Sequence, residues 1–100
     1  MNTPLARFET AMSDLPLVAI LRGLTPAEAP AIGDVLAEAG FRLLEVPLNS
    51  PRPLDSIALL AKRLPQALVG AGTVLRAREV REVAAVGGEL IVAPNTRLTR

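Results

Sequence analysis

Four short apolar runs punctuate the chain: Val18-Ala19-Ile20-Leu21, Leu43-Leu44-Glu45-Val46, Ala67-Leu68-Val69-Gly70-Ala71 and Leu90-Ile91-Val92-Ala93. Their starts, at 18, 43, 67 and 90, lie 25, 24 and 23 residues apart. Each run is too short for a helix and is bounded by Gly or Pro, the pattern of strands buried on both faces in a parallel sheet. The intervals carry helical spacing. Thr25-Pro26 with Glu28 reads as a capping box with proline at the first helical position, where its missing N–H costs nothing. Ile32, Val35, Leu36 and Ala39 then form a stripe, and Gly40 suits the left-handed residue that ends a helix. Pro30 falls inside this helix and is expected to kink it.

The second helix is expected to start at Ser50, with Pro51 next. Its stripe is Leu54, Ile57, Ala58 and Ala61, and Pro65 ends it. Lys62 and Arg63 lie in its last turn, where cations complement the helix dipole. A third helix runs from about Ala77 to Val86 with Val80, Val83 and Ala84 inward, stopped by Gly87-Gly88. Pro4 to Ser13 form a leading helix with Leu5, Phe8 and Met12 on one face.

The order is therefore a helix, three strand–helix units and a fourth strand, an α/β class with right-handed parallel crossovers. An open doubly wound sheet and part of a (β/α)8 barrel both fit. A barrel typically needs about 200 residues or more. On the barrel reading, residues 1–100 are a partial domain, the N-terminal half of a longer protein.

Composition narrows the chemistry. Half of the 100 residues are hydrophobic, and the net charge is +1 from 11 basic and 10 acidic residues. No strong basic excess argues for nucleic acid, and Phe8 and Phe41, the only aromatics, offer no stacking platform. Cysteine and histidine are absent. Thiolate chemistry, a zinc site and a Ser-His-Asp triad are thereby excluded within these residues. No apolar run approaches the length of about 18 that spans a membrane, and Met1 to Leu15 lacks a secretory core. The expectation is a cytoplasmic protein without nucleic-acid or membrane partners.

In parallel α/β folds, ligands gather at the carboxyl ends of the strands. Arg22-Gly23, Glu45 to Asn49, Gly72-Thr73 and Pro94-Asn95 lie there. Glu45 puts a carboxylate where an apolar residue belongs. Burying it requires a partner or a raised pKa, and a tuned acid in such a place suits proton transfer. The alternative is a structural ion pair with Arg22 or another arginine. Arg22 can fork onto a substrate carboxylate or be an ordinary loop arginine. Thr73 can donate a hydroxyl to a carboxylate or enolate, or satisfy a local turn. Strand alternation groups Val18, Ile20 and Arg22; Leu43, Glu45 and Pro47; and Val69, Ala71 and Thr73, and the three groups are expected to face a shared interior.

Gly70-Ala71-Gly72 is not a dinucleotide fingerprint. Leu75 stands where the third glycine belongs, and no acid follows about 20 residues later. The small residues instead give the third strand room at a crowded barrel mouth. Ser50 reads as a helix cap, since no base accompanies it as a nucleophile. Lys62, the single lysine against ten arginines, lies off the apolar stripe. It lacks the desolvation a Schiff-base lysine wants.

Four motifs together resemble the 2-keto-3-deoxy-6-phosphogluconate/-galactonate aldolases. They are Ile20-Leu21-Arg22-Gly23-Leu24-Thr25-Pro26, Glu45-Val46-Pro47-Leu48-Asn49-Ser50-Pro51, Val69-Gly70-Ala71-Gly72-Thr73-Val74-Leu75 and Leu90-Ile91-Val92-Ala93-Pro94-Asn95. They occur in the family's order and spacing and cover nearly all of the chain past Leu15. Pro47-Leu48-Asn49-Ser50 resembles the galactonate branch; the gluconate enzymes carry a Thr-Leu-Arg-Thr type sequence there. Asn49 thus stands where those enzymes place an arginine for the substrate carboxylate. It becomes a substrate-binding candidate, and Arg22 takes more of that task.

The resemblance implies a class I aldolase. A lysine forms a Schiff base with a phosphorylated 2-keto sugar acid, and cleavage between C3 and C4 releases pyruvate and D-glyceraldehyde 3-phosphate. Glu45 would be the general acid/base, Thr73 would contact the pyruvate carboxylate region and Pro94 would line the pocket. No metal or organic cofactor is implied, and family members are homotrimers. The family's lysine and phosphate-binding turns belong beyond residue 100, so these 100 residues alone are expected to be inactive. The competing readings are a gluconate-specific or dual-specificity aldolase and a non-catalytic half-barrel module that dimerises over its open edges.

Overall fold

The computed structural model describes residues 3–15 and 17–93. Helix α1 (Pro4–Asp14) precedes β1 (Val18–Ile20), α2 (Ala29–Glu38), β2 (Leu43–Pro47), α3 (Pro53–Arg63), β3 (Leu68–Gly72), α4 (Ala77–Ala85) and β4 (Leu90–Ile91). The strands form one sheet in the order β1-β2-β3-β4, every pair parallel. This is the strand–helix repeat of half a (β/α)8 barrel.

Both faces of β2 and β3 are buried, which explains their nearly continuous apolar runs. On one face Leu44, Val46, Val69 and Ala71 pack with Ile57 and Leu60 of α3 and Val83 of α4. Each large aliphatic side chain so buried contributes about 1.5–3 kcal/mol. On the other face Leu43 and Leu68 meet Ala11 of α1, with Leu90 beside them. Helix α1 thus covers the face opposite to α3 and α4, at the end where β2 and β3 begin.

The helix boundaries differ from the sequence reading at two proline pairs. Thr25 and Glu28 make their reciprocal bonds, Thr25 N donating to Glu28 Oε1 at 3.0 Å and Glu28 N to Thr25 Oγ1 at 3.4 Å. The backbone nevertheless makes a separate turn there, and α2 starts at Ala29. Pro30 then lies in the first turn, where no N–H partner is needed, and no kink is required. Helix α3 starts at Pro53 rather than after Ser50, because Arg52 adopts a left-handed φ of 45° that breaks the helical path.

The buried faces also differ. Ile32 and Val35 are exposed, and α2 buries Ala29 and Gly33 instead. A Cβ at Gly33 would lie 2.6 Å from Leu60 Cδ2 and 3.2 Å from Leu64 Cδ1. This close approach of α2 to α3 dictates which face turns inward. Arg63 spans the same contact, donating to both Asp34 oxygens at 2.8 Å. That pair is half-exposed and screened by solvent, so it adds little to stability. Gly33→Ala is expected to cost about 1–3 kcal/mol by overpacking. An unchanged midpoint in urea denaturation would show that Leu60 yields freely.

On α1, Leu5, Phe8 and Met12 are exposed, contrary to the stripe. The helix docks through Ala11 and through Arg7, which donates to Pro65 O at 2.8 Å and Ala67 O at 3.1 Å and pairs with Glu89. In α4 only Val83 is fully buried, while Val80 and Ala84 face solvent. The Glu79 carboxylate accepts from Leu75 N at 2.8 Å and Arg76 N at 2.9 Å, capping the helix. Those bonds hold its pKa below the ordinary carboxylate value. Gly40 and Gly87 take φ of 98° and 94° just past α2 and α4, as the helix-stop reading requires.

Candidate active site

At the carboxyl ends of the strands, β1 leads into Arg22-Gly23, β2 into Leu48-Asn49-Ser50 and β3 into Thr73. Glu45 is paired in register with Ile20 on one side and Gly70 on the other. Backbone bonds extend the ladder past it, from Leu21 N to Glu45 O at 2.9 Å and from Leu48 N to Gly72 O at 2.9 Å. The side chain is therefore carried by the most tightly held part of the sheet. It is only 5% exposed.

A Cβ at Gly72 would lie 1.9 Å from Glu45 Oε2 and 2.2 Å from Glu45 Cδ. The carboxylate rests against the Cα of Gly72, in space that any other residue would fill. This corrects the grouping of the third strand. Leu68, Gly70 and Gly72 share the face of Glu45, while Val69 and Ala71 belong to the core under the helices. The Gly-Ala-Gly sequence places two glycines on the face of Glu45, and the second makes room for its acid.

Glu45 makes no hydrogen bond or ion pair with another side chain among the described residues. Burial pushes its pKa above the ordinary carboxylate value, and the positive charge of Arg22 partly offsets that rise. Arg22 is exposed and stands outside ion-pair distance. The structural ion pair is thus not formed. What remains is a buried acid with a raised proton affinity and a nearby cation whose donors are available to another anion.

Thr73 follows β3 with a φ of 58°, an uncommon conformation for a β-branched residue. Such backbone costs about 1–3 kcal/mol and persists only where its surroundings impose it. Its side chain is exposed, as is Asn49 in the turn after β2. Pro94 lies outside the described residues. Ser50 is buried and does not cap α3; its Oγ accepts a bond from Gly23 N at 3.2 Å. Sequence reasoning missed the parts played by Gly72 and Ser50. Two glycines two apart, facing an acid on the neighbouring strand, were the signal for the first.

No cluster of three or more metal-binding side chains occurs among the described residues. A cavity of about 550 Å³ lies between α3 and α4 near Arg7, Lys62 and Glu89. It is lined by none of the candidate site residues, and Lys62 is exposed there. Among the described residues, no helix is long and apolar enough to cross a membrane.

Residues 8–99 match the family described as KDPG and KHG aldolase. The chain belongs to that family. It is 52% identical over 81 residues to a protein of Rhizobium meliloti (strain 1021) named probable 2-dehydro-3-deoxy-6-phosphogalactonate aldolase, covering 80% of this chain and 38% of that protein. It is 50% identical over 82 residues to the 2-dehydro-3-deoxy-6-phosphogalactonate aldolase of Escherichia coli (strain K12), covering 81% of this chain and 40% of that protein. A solved structure described as native KDPGal superposes with a TM-score of 0.79 at 48% identity, over 83% of this chain and 41% of that one. The chain thus spans about two fifths of the length of the curated relatives it matches. Within this aldolase family fold, Glu45, Arg22, Asn49 and Thr73 all lie at the carboxyl ends of the strands or on the segments that follow them.

Proposed function

We propose that these residues supply the acid/base half of a class I aldolase. Its substrate is 2-dehydro-3-deoxy-6-phospho-D-galactonate, cleaved to pyruvate and D-glyceraldehyde 3-phosphate. One observation carries this reading: Glu45 is buried, unpaired and raised in proton affinity, at the carboxyl end of a parallel strand. An acid whose proton affinity is raised by burial is suited both to give and to take a proton. It would donate to the departing hydroxyl as a lysine carbinolamine dehydrates. Now a carboxylate, it would take the C4 hydroxyl proton as the C3–C4 bond breaks and the aldehyde forms. The bonding electrons rest in the enamine, and the acid would pass that proton to C3, which becomes the methyl of pyruvate. The protonated imine is the electron sink, so no cofactor is required. Arg22 would hold the substrate carboxylate, with Thr73 and Asn49 beside it and Pro94 lining the pocket.

The galactonate assignment is supported by Pro47-Leu48-Asn49-Ser50 and by the names of the two relatives. Comparing cleavage rates of the two C4-epimeric substrates tests it; a preference for the gluconate epimer would reassign the branch. The intact enzyme is proposed to be a soluble cytoplasmic homotrimer, which sedimentation would check.

Lys62 is exposed on α3 and outside the site, so the 100-residue chain should form no imine with pyruvate. Borohydride treatment with pyruvate should leave its mass unchanged while trapping an adduct on the intact enzyme. A covalent adduct on the 100-residue chain, or none on the intact enzyme, would overturn the assignment.

A further inference from the structure

Ser50 has a buried hydroxyl that the reaction does not use, and it is not the helix cap its sequence suggests. Its Oγ accepts from Gly23 N at 3.2 Å, and its own N–H donates to Pro47 O at 2.9 Å. Gly23 closes a turn in which Leu24 N bonds Leu21 O at 3.2 Å, and it takes a φ of 76°. The residue before Gly23 is Arg22. On the other side of Arg22, Leu21 N donates to Glu45 O at 2.9 Å. The backbone of Arg22 is thus gripped from both sides by one segment, β2 and the turn that follows it.

Leu21 and Leu24 anchor the two ends of this turn in the core, but packing does not hold Gly23 itself. Nothing lies within 4 Å of the place where a Cβ on Gly23 would sit. The only side-chain partner of the Gly23 amide among the described residues is Ser50. An arginine next to a glycine that packing leaves free can change its direction, and that freedom weakens its hold on a small anion.

We propose that Ser50 is a positioning residue: its hydroxyl locks the Leu21–Leu24 turn so that the Arg22 guanidinium is presented beside Glu45. This rests on the roles proposed above for Arg22 and Glu45, and it assigns the Ser of Pro-Leu-Asn-Ser to the carboxylate-binding arm of the site. Ser50 touches no substrate; it acts through Arg22. The alternative is that Ser50 merely satisfies a part-buried amide.

The Glu45 carboxyl reports on where Arg22 is held, because the charge of Arg22 opposes the effect of burial. Titration of the Glu45 side-chain carbon by NMR in the labelled intact protein reads it without any assay of catalysis. Arg22→Gln should move the Glu45 midpoint upward. Ser50→Ala should move it upward too, by less, and should add nothing in the Arg22→Gln background. Ser50→Thr keeps the acceptor and should restore the wild-type midpoint. If Ser50→Ala does not fold, Ser50→Cys, whose thiol is a poor acceptor of similar size, takes its place.

A midpoint unmoved by Ser50→Ala, while Arg22→Gln shifts it, would overturn the proposal and leave Ser50 structural. So would a shift that persists in full in the Arg22→Gln background. Failure of the aldolase reading has a separate signature, the lack of a pyruvate adduct on the intact enzyme, and leaves these titrations unaffected.

Discussion

Glu45→Gln should lower turnover of the intact aldolase by about 10²–10⁴-fold, the usual contribution of a positioned acid/base. Glutamine keeps the size and some hydrogen bonding of the side chain but cannot carry the proton. KM should change little if Arg22, as proposed, holds the substrate carboxylate. The same substitution should act on stability in the opposite direction. An unfolded glutamate titrates near 4.3, and burial places the folded midpoint of Glu45 above that value. Well below pH 4.3, both states hold the carboxyl neutral and the folded site bears no charge. As pH rises through the folded midpoint, the folded chain must accommodate a buried carboxylate, and stability is lost. The Glu45→Gln chain should therefore be the more stable at pH 7, and the gap should close on acidification. Steady-state kinetics of the intact enzyme and urea denaturation of the chain at two pH values read both effects. Unchanged turnover would reduce Glu45 to a structural role. Equal stability at pH 7 would mean that burial imposes no charge penalty.

The strands were legible as apolar runs, although only β2 and β3 are buried on both faces; β1 and β4, at the sheet edges, expose Val18, Ile20 and Ile91. The expected starts at 18, 43 and 90 agree with β1, β2 and β4, and the start at 67 lies one residue before β3. The helix faces were less so. A stripe such as Ile32, Val35, Leu36 and Ala39 says which residues are greasy, not which side a neighbour covers. Gly33, with no side chain to register in the pattern, decides that for α2. Arg7 decides much of it for α1 through two carbonyls and a glutamate distant in sequence. In the site, Glu45 announced itself as a charge in an apolar run. Gly72 did not, because its face depends on the register between β2 and β3, a long-range quantity. Ser50 was misread because a serine before proline satisfies a helix-start pattern equally well. Here its hydroxyl is occupied by an amide 27 residues earlier in the chain.

Gly72→Ala should disable the acid as thoroughly as removing it. The added methyl would stand 1.9 Å from Glu45 Oε2, 2.2 Å from Cδ and 2.9 Å from Cγ, so three consecutive atoms of the side chain must move. The backbone has little freedom to yield, since Pro47 and Gly72 are register partners and Leu48 N is bonded to Gly72 O at 2.9 Å. The side chain is the part that gives way. Its neighbours on that face, Leu43 and Leu68, are apolar and buried, so the displaced carboxylate is driven toward the open mouth and toward solvent. Two readouts should then change together. Turnover of the intact enzyme should fall by about 10²-fold or more, since a displacement of about 1 Å suffices for such a loss. The Glu45 midpoint should drop toward the ordinary carboxylate value as burial is relieved. The second separates this mechanism from simple destabilisation, which would lower activity without returning a folded chain to normal titration. A folded Gly72→Ala chain in which Glu45 still titrates high would show that the acid keeps its seat and that Gly72 is not what provides it.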